Sequence, residues 1–301
     1  MGKAPTRKQQ ELHLLNCQAR WPASEIHHGA TTWLVSGISL EEVQVALLID
    51  VKKLGKWPTD VQKLAIAWCC DRLQGQIDEF VRVAMTFLGD EIDDHDQLDL
   101  MTMMLDAAEL DSAGSSDDDP NQLDNGDRYD MPVEFTPETM VIPLPSNIGI
   151  ERCAEWGIDN LVLQEISLRE GQANDTLHAI RVDKADKAVL FCTTVQLAKS
   201  QAWAWAQVHL VDRILHLNVQ IYSKCCKQLI HLSANDLLAK FRPIEKADLK
   251  ATTVVADPNV CSQRNSTLAW FWSINVEGDS TSNDWMNECM LIAYVPVPIQ
   301  C

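Results

Sequence analysis

The chain has 301 residues, 46% of them hydrophobic, with 43 acidic against 25 basic side chains and a formal net charge of −18. That apolar share can build a sizeable core and excludes a wholly disordered protein, while the length suits about two domains. The excess of negative charge argues against tight nucleic-acid binding, and 12 Gly with 12 Pro exclude collagen-like or low-complexity architectures.

The first predicted element is a short helix within Trp21 to Val35. Ser39 with Glu42 then reads as a capping box, followed by Leu40, Val43, Leu47, Val51 and Leu54 at steps of three and four. Gly55 supplies a left-handed C-terminal cap, and Trp57-Pro58 stops the helix. Thr59 with Gln62 is a second capping box, opening a long helix with the stripe Val61, Leu64, Trp68, Leu73, Ile77, Phe80, Ala84 and Phe87. Two amphipathic helices joined by a short loop predict an antiparallel hairpin.

Charge divides the chain. Residues 1–89 carry 9 acidic and 10 basic side chains, a net of +1. Residues 90–138 carry 17 acidic side chains against Arg128, a net of −16, and residues 139–301 carry 17 against 14, a net of −3. The partition predicts a helical hairpin region at 1–89, an acidic linker of low order at 90–138, and a helical region at 139–301. Leu98 to Leu110 has the spacing of a short acidic helix. The run Asp117-Asp118-Asp119 lacks the ligand order of a calcium loop.

Pro132, Pro137, Pro143 and Pro145 predict an extended entry into the third region. Ser146 is expected to cap a short helix ending near Trp156-Gly157. A second helix follows from Asp159 to Asp183 with Leu163, Ile166, Ala173, Leu177 and Ile180 inward, then a third over Lys184 to Ala198. The clearest pattern covers Gln201 to Leu232, with Val208, Val211, Leu215, Tyr222, Leu229 and Leu232 repeating. Ser233 to Phe241 makes a short helix ended by Pro243, Asp257-Pro258 starts a turn, Trp285 to Tyr294 a last helix, and Val295 to Pro298 an extended end. Strand-like alternation is nearly absent, so the fold class is all-α: amphipathic hairpins and long helices in two segments joined by the acidic linker.

The chemistry is sparse. Ten cysteines contain no C-x-x-C pair, and the adjacent pairs Cys69-Cys70 and Cys225-Cys226 suit neither zinc nor a disulfide framework. No signal peptide opens the chain and no apolar run reaches the ~20 residues of a membrane span, so an intracellular protein with reduced thiols is expected. The sequence contains no phosphate loop, H-E-x-x-H or nucleophile elbow. His209 and His216 share a helix face with Asp212 and Arg213 between them, but further metal ligands are missing. Glu165 and Asp175 with His178 suggest a carboxylate–imidazole site, but Asp175 and His178 at i,i+3 read as a local helix-face pair, and Trp203, Trp205, Trp270 and Trp272 read as core or interface anchors. No catalytic, cofactor-binding or metal residue is assigned. An alternative nucleic-acid role places phosphate contacts at Lys52, Lys53, Lys56 and Lys63 of the near-neutral first region.

The string Leu168-Arg169-Glu170-Gly171-Gln172 followed by Ala173-Asn174-Asp175-Thr176-Leu177-His178-Ala179-Ile180-Arg181 resembles the helical tail of fungal Kyakuja-Dileera-Zisupton (KDZ) transposase proteins. Ile142 to Ser146, Ala204 to His209, Asp257-Pro258, Gln263-Arg264-Asn265 and Trp270-Phe271-Trp272 resemble further parts of that tail in order. In the first region, Trp33-Leu34 through Lys56 and Asp71-Arg72-Leu73 resemble the segment before it. The resemblance implies a transposon-derived helical fragment without the family's cysteine-rich zinc module or RNase-H-like core. It therefore implies no enzymatic activity, no cofactor, and a structural or self-associating role. Trp68-Cys69-Cys70, Cys192 and Trp203 stand where the family is basic. Single C-to-T changes convert Arg codons into Cys or Trp codons, so this pattern reads as a decaying element copy that exposes apolar groups on once-solvated helix faces.

Overall fold

The computed structural model describes residues 4–18, 29–55, 57–88, 136–190, 201–249 and 269–273. Among them the architecture is all-α. The helices are α1 (Arg7–Gln18), α2 (Ala30–Lys52), α3 (Asp60–Leu88), α4 (Pro145–Ile148), α5 (Ile150–Glu155), α6 (Asp159–Leu190), α7 (Gln201–His231), α8 (Asn235–Lys240) and α9 (Lys246–Leu249), followed by a 3-10 turn at Trp270–Ser273. The expected elements at Leu98–Leu110, Asp257-Pro258, Trp285–Tyr294 and Val295–Pro298 lie outside the described residues.

Helix α1 has no counterpart in the sequence reading, although a capping box opens it. The Thr6 N–H donates to Gln9 Oε1 (3.0 Å) and the Gln9 N–H to Thr6 Oγ1 (3.3 Å). The helix docks on α6 at Gly171, where a Cβ would lie 2.5 Å from Arg7 Cα and 2.6 Å from Arg7 N. Asp175 Oδ2 accepts the Arg7 N–H at 3.0 Å, and Asn174 Nδ2 donates to the Pro5 carbonyl at 2.9 Å. Backbone stands against that glycine, so a side chain there must push α1 away. Gly171→Val is expected to speed amide exchange in α1 about 10- to 100-fold while α2 and α7 change little, the range an overpacking cost of about 1–3 kcal/mol implies.

Helix α2 starts at Ala30 behind the left-handed Gly29 (φ 92°), not at Ser39. The Ser39 hydroxyl donates to the Val35 carbonyl at 2.9 Å, a bond within the helix, so the described part of the expected short helix, Ala30 to Val35, is one with its successor, while Trp21 to His28 lie outside the described residues. Gly37 in its middle is required by packing. A Cβ there would lie 2.7 Å from both Leu144 Cδ2 and Phe80 Cζ.

Gly55 (φ 65°) ends the turn after α2, and the expected Thr59/Gln62 box opens α3, with Thr59 N–H to Gln62 Oε1 at 2.9 Å. Trp33, near the start of α2, stacks on Phe80 (5.0 Å) and Phe87 (5.3 Å) near the end of α3, which fixes the antiparallel hairpin. Leu73, Ile77, Phe80, Ala84 and Phe87 are buried as expected, but Val61, Leu64 and Trp68 are exposed. The predicted stripe had to step five residues from Trp68 to Leu73. The packed line instead continues backwards through Cys70 and Ile66 at steps of three and four, and both lie against the core.

The chain re-enters through residues 136–144. Gln44 Nε2 donates to the Pro137 and Met140 carbonyls at 2.9 and 2.7 Å, and Ile142 and Leu144 are buried. Leu144, not Ser146, takes the cap position of α4. Helix α6 runs unbroken through the expected boundary at Asp183, over about 48 Å. Ala173, Leu177 and Ile180 face inward, whereas Leu163 is exposed. Val208, Leu215, Tyr222 and Leu229 of α7 are buried as expected.

Two apolar clusters result. The first joins α2 and α3 to Ile142, Leu144, Ile148, Cys153, Leu161 and Leu168 and to Leu232, so residues from the 1–89 and 139–301 regions share one core. The second gathers Ala173, Leu177 and Ile180 of α6, Leu215, Tyr222 and Leu229 of α7, and Phe241 and Phe271. They adjoin along α6 between Leu168 and Ala173.

Candidate functional site

Arg169 occupies that junction and is 0% exposed. Its Nη2 donates to Glu41 Oε2 of α2 (2.5 Å) and to Glu165 Oε1 (2.9 Å), its Nε to Glu165 Oε1 (3.1 Å), and its Nη1 to Gln172 Oε1 (3.1 Å). Glu165 also accepts the Ser146 N–H at 2.9 Å and the Ser146 hydroxyl at 2.6 Å. Glu41 Oε1 accepts Asn147 Nδ2 at 2.9 Å and Gln228 Nε2 at 3.0 Å, with Lys224 Nζ at 3.7 Å. Gln172 Nε2 and Arg7 Nη1 both donate to Glu42 Oε1 at 2.8 Å.

The cluster draws on α1, α2, α4, α6 and α7. Helical spacing places Glu165, Arg169 and Gln172 on one face of α6, and only the fold brings Glu41 and Lys224 to them. Burial pushes the Glu41 carboxyl upward, but Arg169, Lys224 and the Asn147 amide outweigh it and hold its pKa below the ordinary value. Burial lowers the Arg169 pKa, and Glu41 and Glu165 more than reverse that. Lys224 is shifted down by burial, with Glu41 opposing. At its buried centre two carboxylates, Glu41 and Glu165, balance two cations, Arg169 and Lys224, and both carboxylates are occupied by internal donors. Such a buried group is costly to break, because removing one partner strands a charge.

Of the sequence candidates, Glu165 belongs to this cluster, while Asp175 instead receives α1. At the end of α2, Lys52 and Lys53 lie beside Arg213 and His216 of α7. Burial and then the Arg213 charge lower the Lys53 pKa, and burial followed by Lys53 and Lys52 lowers that of His216. Arg213 is paired with Asp50 (2.6 Å) and Asp212 with Lys187 (2.5 Å), so the His209/His216 face assembles no ligand set. Lys63 pairs with Asp60 of its own helix at 3.7 Å, and Lys56 lies outside the described residues. Trp270 packs near Tyr222 and Phe271, whereas Trp203 and Trp205 are exposed. The Arg181 guanidinium donates to the Phe271 carbonyl.

Sequence reasoning missed the Glu41–Arg169 contact. The one local signal was Glu165 and Arg169 at i,i+4 on the same face as Ala173, Leu177 and Ile180.

Among the described residues, Cys17, Cys69, Cys70, Cys153, Cys225 and Cys226 are free thiols, and no group of three or more His, Cys, Asp or Glu could hold a metal ion. Burial pushes the Cys153 pKa up to about 12 and that of Cys226 up to about 11, while Cys69 is exposed. Alkylation of the native protein at pH 8 is expected to label Cys69 at least about 100-fold faster than Cys153 or Cys226, since the thiolate is the nucleophile. Equal rates would contradict these burials. Among the described residues no helix is long and apolar enough to cross a membrane. No protein-family model, curated protein or solved structure matches this chain.

Proposed function

We propose that this chain is a non-catalytic helical structural module of KDZ-transposase descent that acts by self-association inside the cell. The observation that carries the reading is the Arg169 cluster. The densest buried carboxylates in the described residues, Glu41 and Glu165, are spent on tying helices together, with Arg169, Ser146, Asn147 and Gln228 filling their acceptor sites. The exposed apolar residues of α3 and α7 favour association over a solitary life in water. Sedimentation velocity of the full chain over a wide concentration range tests this. Reversible association is expected, and a monomer at every concentration sinks the reading.

A nucleic-acid-binding module is the second reading, favoured by the meeting of Lys52, Lys53, Arg213 and His216 across α2 and α7. Phosphate contacts release counterions, so such binding must weaken steeply with salt. Anisotropy of a labelled duplex is expected to show no salt-dependent binding. A steep salt slope that flattens in Lys52→Glu/Lys53→Glu establishes the second reading instead.

Descent through a decaying copy draws support from Trp68, Cys69 and Trp203, three of the residues read as altered Arg positions, all of them exposed. Sibling copies in the same genome that keep these three residues under intact coding constraint would exclude decay.

A further inference from the structure

We propose that the exposed first half of α3 is the docking face for the chain's own acidic stretch Leu98–Leu110. From Asp60 to Arg72 only Ile66 and Cys70 are even half-buried, so a stretch about 20 Å long touches the body along one thin edge. A helix of that length is marginal in water without a packed face. Val61 is 78% exposed, Leu64 50% and Trp68 67%, and the three recur at i, i+3 and i+7 on one side of the helix.

The path of the chain singles out the occupant. Residues 89–135 leave from Leu88 at the end of α3, and the chain comes back to α3 itself. Cys70 Sγ donates to Glu138 Oε2 at 3.9 Å, and Gln44 of α2 holds the Pro137 carbonyl at 2.9 Å. Both ends of that segment are tied to this helix, which keeps it at high local concentration around the uncovered half. Its apolar residues concentrate in Leu98–Leu110, where Leu100, Met101, Met104, Leu105 and Ala108 fall at helical spacing. That stretch has 13 residues, as many as Asp60–Arg72, so helices over the two match in length. Laid antiparallel, Leu98 comes level with Arg72, about 24 Å back along α3 from Leu88. The ten residue steps from Leu88 to Leu98 reach about 33 Å, enough to span it. The same register brings Asp99 level with Arg72, and Asp106 and Glu109 level with Lys63, so the acidic stretch meets the two exposed cations of Asp60–Arg72.

The contact lies within one chain and goes beyond the self-association reading, which keeps the exposed residues of α7. Amide hydrogen exchange of the full chain, followed over a range of concentrations, compares the native sequence with Met101→Glu/Met104→Glu and with Leu64→Glu/Trp68→Glu. Leu210→Glu/Ile214→Glu on α7 is the control, and unchanged exchange in α6 verifies the fold of each variant. Residues 60–72 and 98–110 of the native chain are expected to be protected at every concentration. Each of the first two variants is expected to speed exchange at least about 10-fold in both stretches, the opposite one included, and the α7 variant in neither. Protection of residues 60–72 that survives Met101→Glu/Met104→Glu overturns the contact. So does a native chain in which both stretches exchange freely, since Trp68 is then an uncovered apolar scar. Protection that appears only as the concentration rises overturns it as well and assigns the face to a second copy.

Discussion

Arg169→Met is expected to lower the unfolding free energy by about 3–5 kcal/mol, the cost of removing one member of a buried ion group. The loss comes from what remains. Glu41 and Glu165 are held in an interior where an unpaired carboxylate is poorly solvated, and Arg169 donates to both. Neutralising them should therefore recover much of the stability. Arg169→Met combined with Glu41→Gln and Glu165→Gln is expected to unfold at higher denaturant than Arg169→Met alone, although each Gln variant by itself destabilises. Urea titration of the four proteins checks this. Equal stabilities for the single and triple variants would mean that the charges are not coupled.

Glu41 also sets an acid limit. Folded Glu41 titrates below its ordinary value, so the folded state binds fewer protons than the unfolded chain as the pH approaches that value. The stabilisation is complete above the unfolded pKa and is lost as the pH falls through the folded one. Glu41→Gln is therefore expected to flatten stability against pH below about 4.5.

Trp33→Ala is the other large effect, expected to cost about 3–5 kcal/mol. Trp33 is 4% exposed and stacks on two rings of α3, Phe80 at an interplanar angle of 8° and Phe87 at 29°. Its removal leaves a cavity against Phe80 and Phe87, one turn from Gly37, where Phe80 and Leu144 already stand close to the α2 backbone. Trp33→Phe keeps part of the stack and is expected to cost less than half as much. Since Leu144 shares this core, the loss should reach the 139–301 region as well as the hairpin. Loss confined to α2 and α3 would show that the two regions do not depend on one another.

Much of the helical content was legible in the sequence because it is local. The Thr59/Gln62 box, Gly55 and the repeats of α7 act within a few residues of themselves. Boundaries were misplaced where long-range packing overrides a local signal. Ser39 reads as a cap but lies inside α2, whose apolar residues Trp33, Leu34 and Ile38 are held by α3 and by the 142–148 segment. The α3 stripe went wrong for a different reason: Val61, Leu64 and Trp68 satisfy the helical period and still face solvent, because a period shows a face exists and not what covers it. The Arg169 cluster was the least legible feature. Glu41 and Arg169 are 128 residues apart, and no spacing rule connects them. The family resemblance passed through Arg169 without marking it.

Helices from the 1–89 and 139–301 regions form one structural unit clamped at Arg169. Equilibrium urea unfolding of the full chain, followed by pulsed hydrogen exchange read separately in α2–α3 and in α6–α7, tests it most directly. One coincident transition for the four helices is predicted, displaced equally in all of them by Arg169→Met. Two separate transitions, with Arg169→Met moving α6–α7 alone, would contradict it.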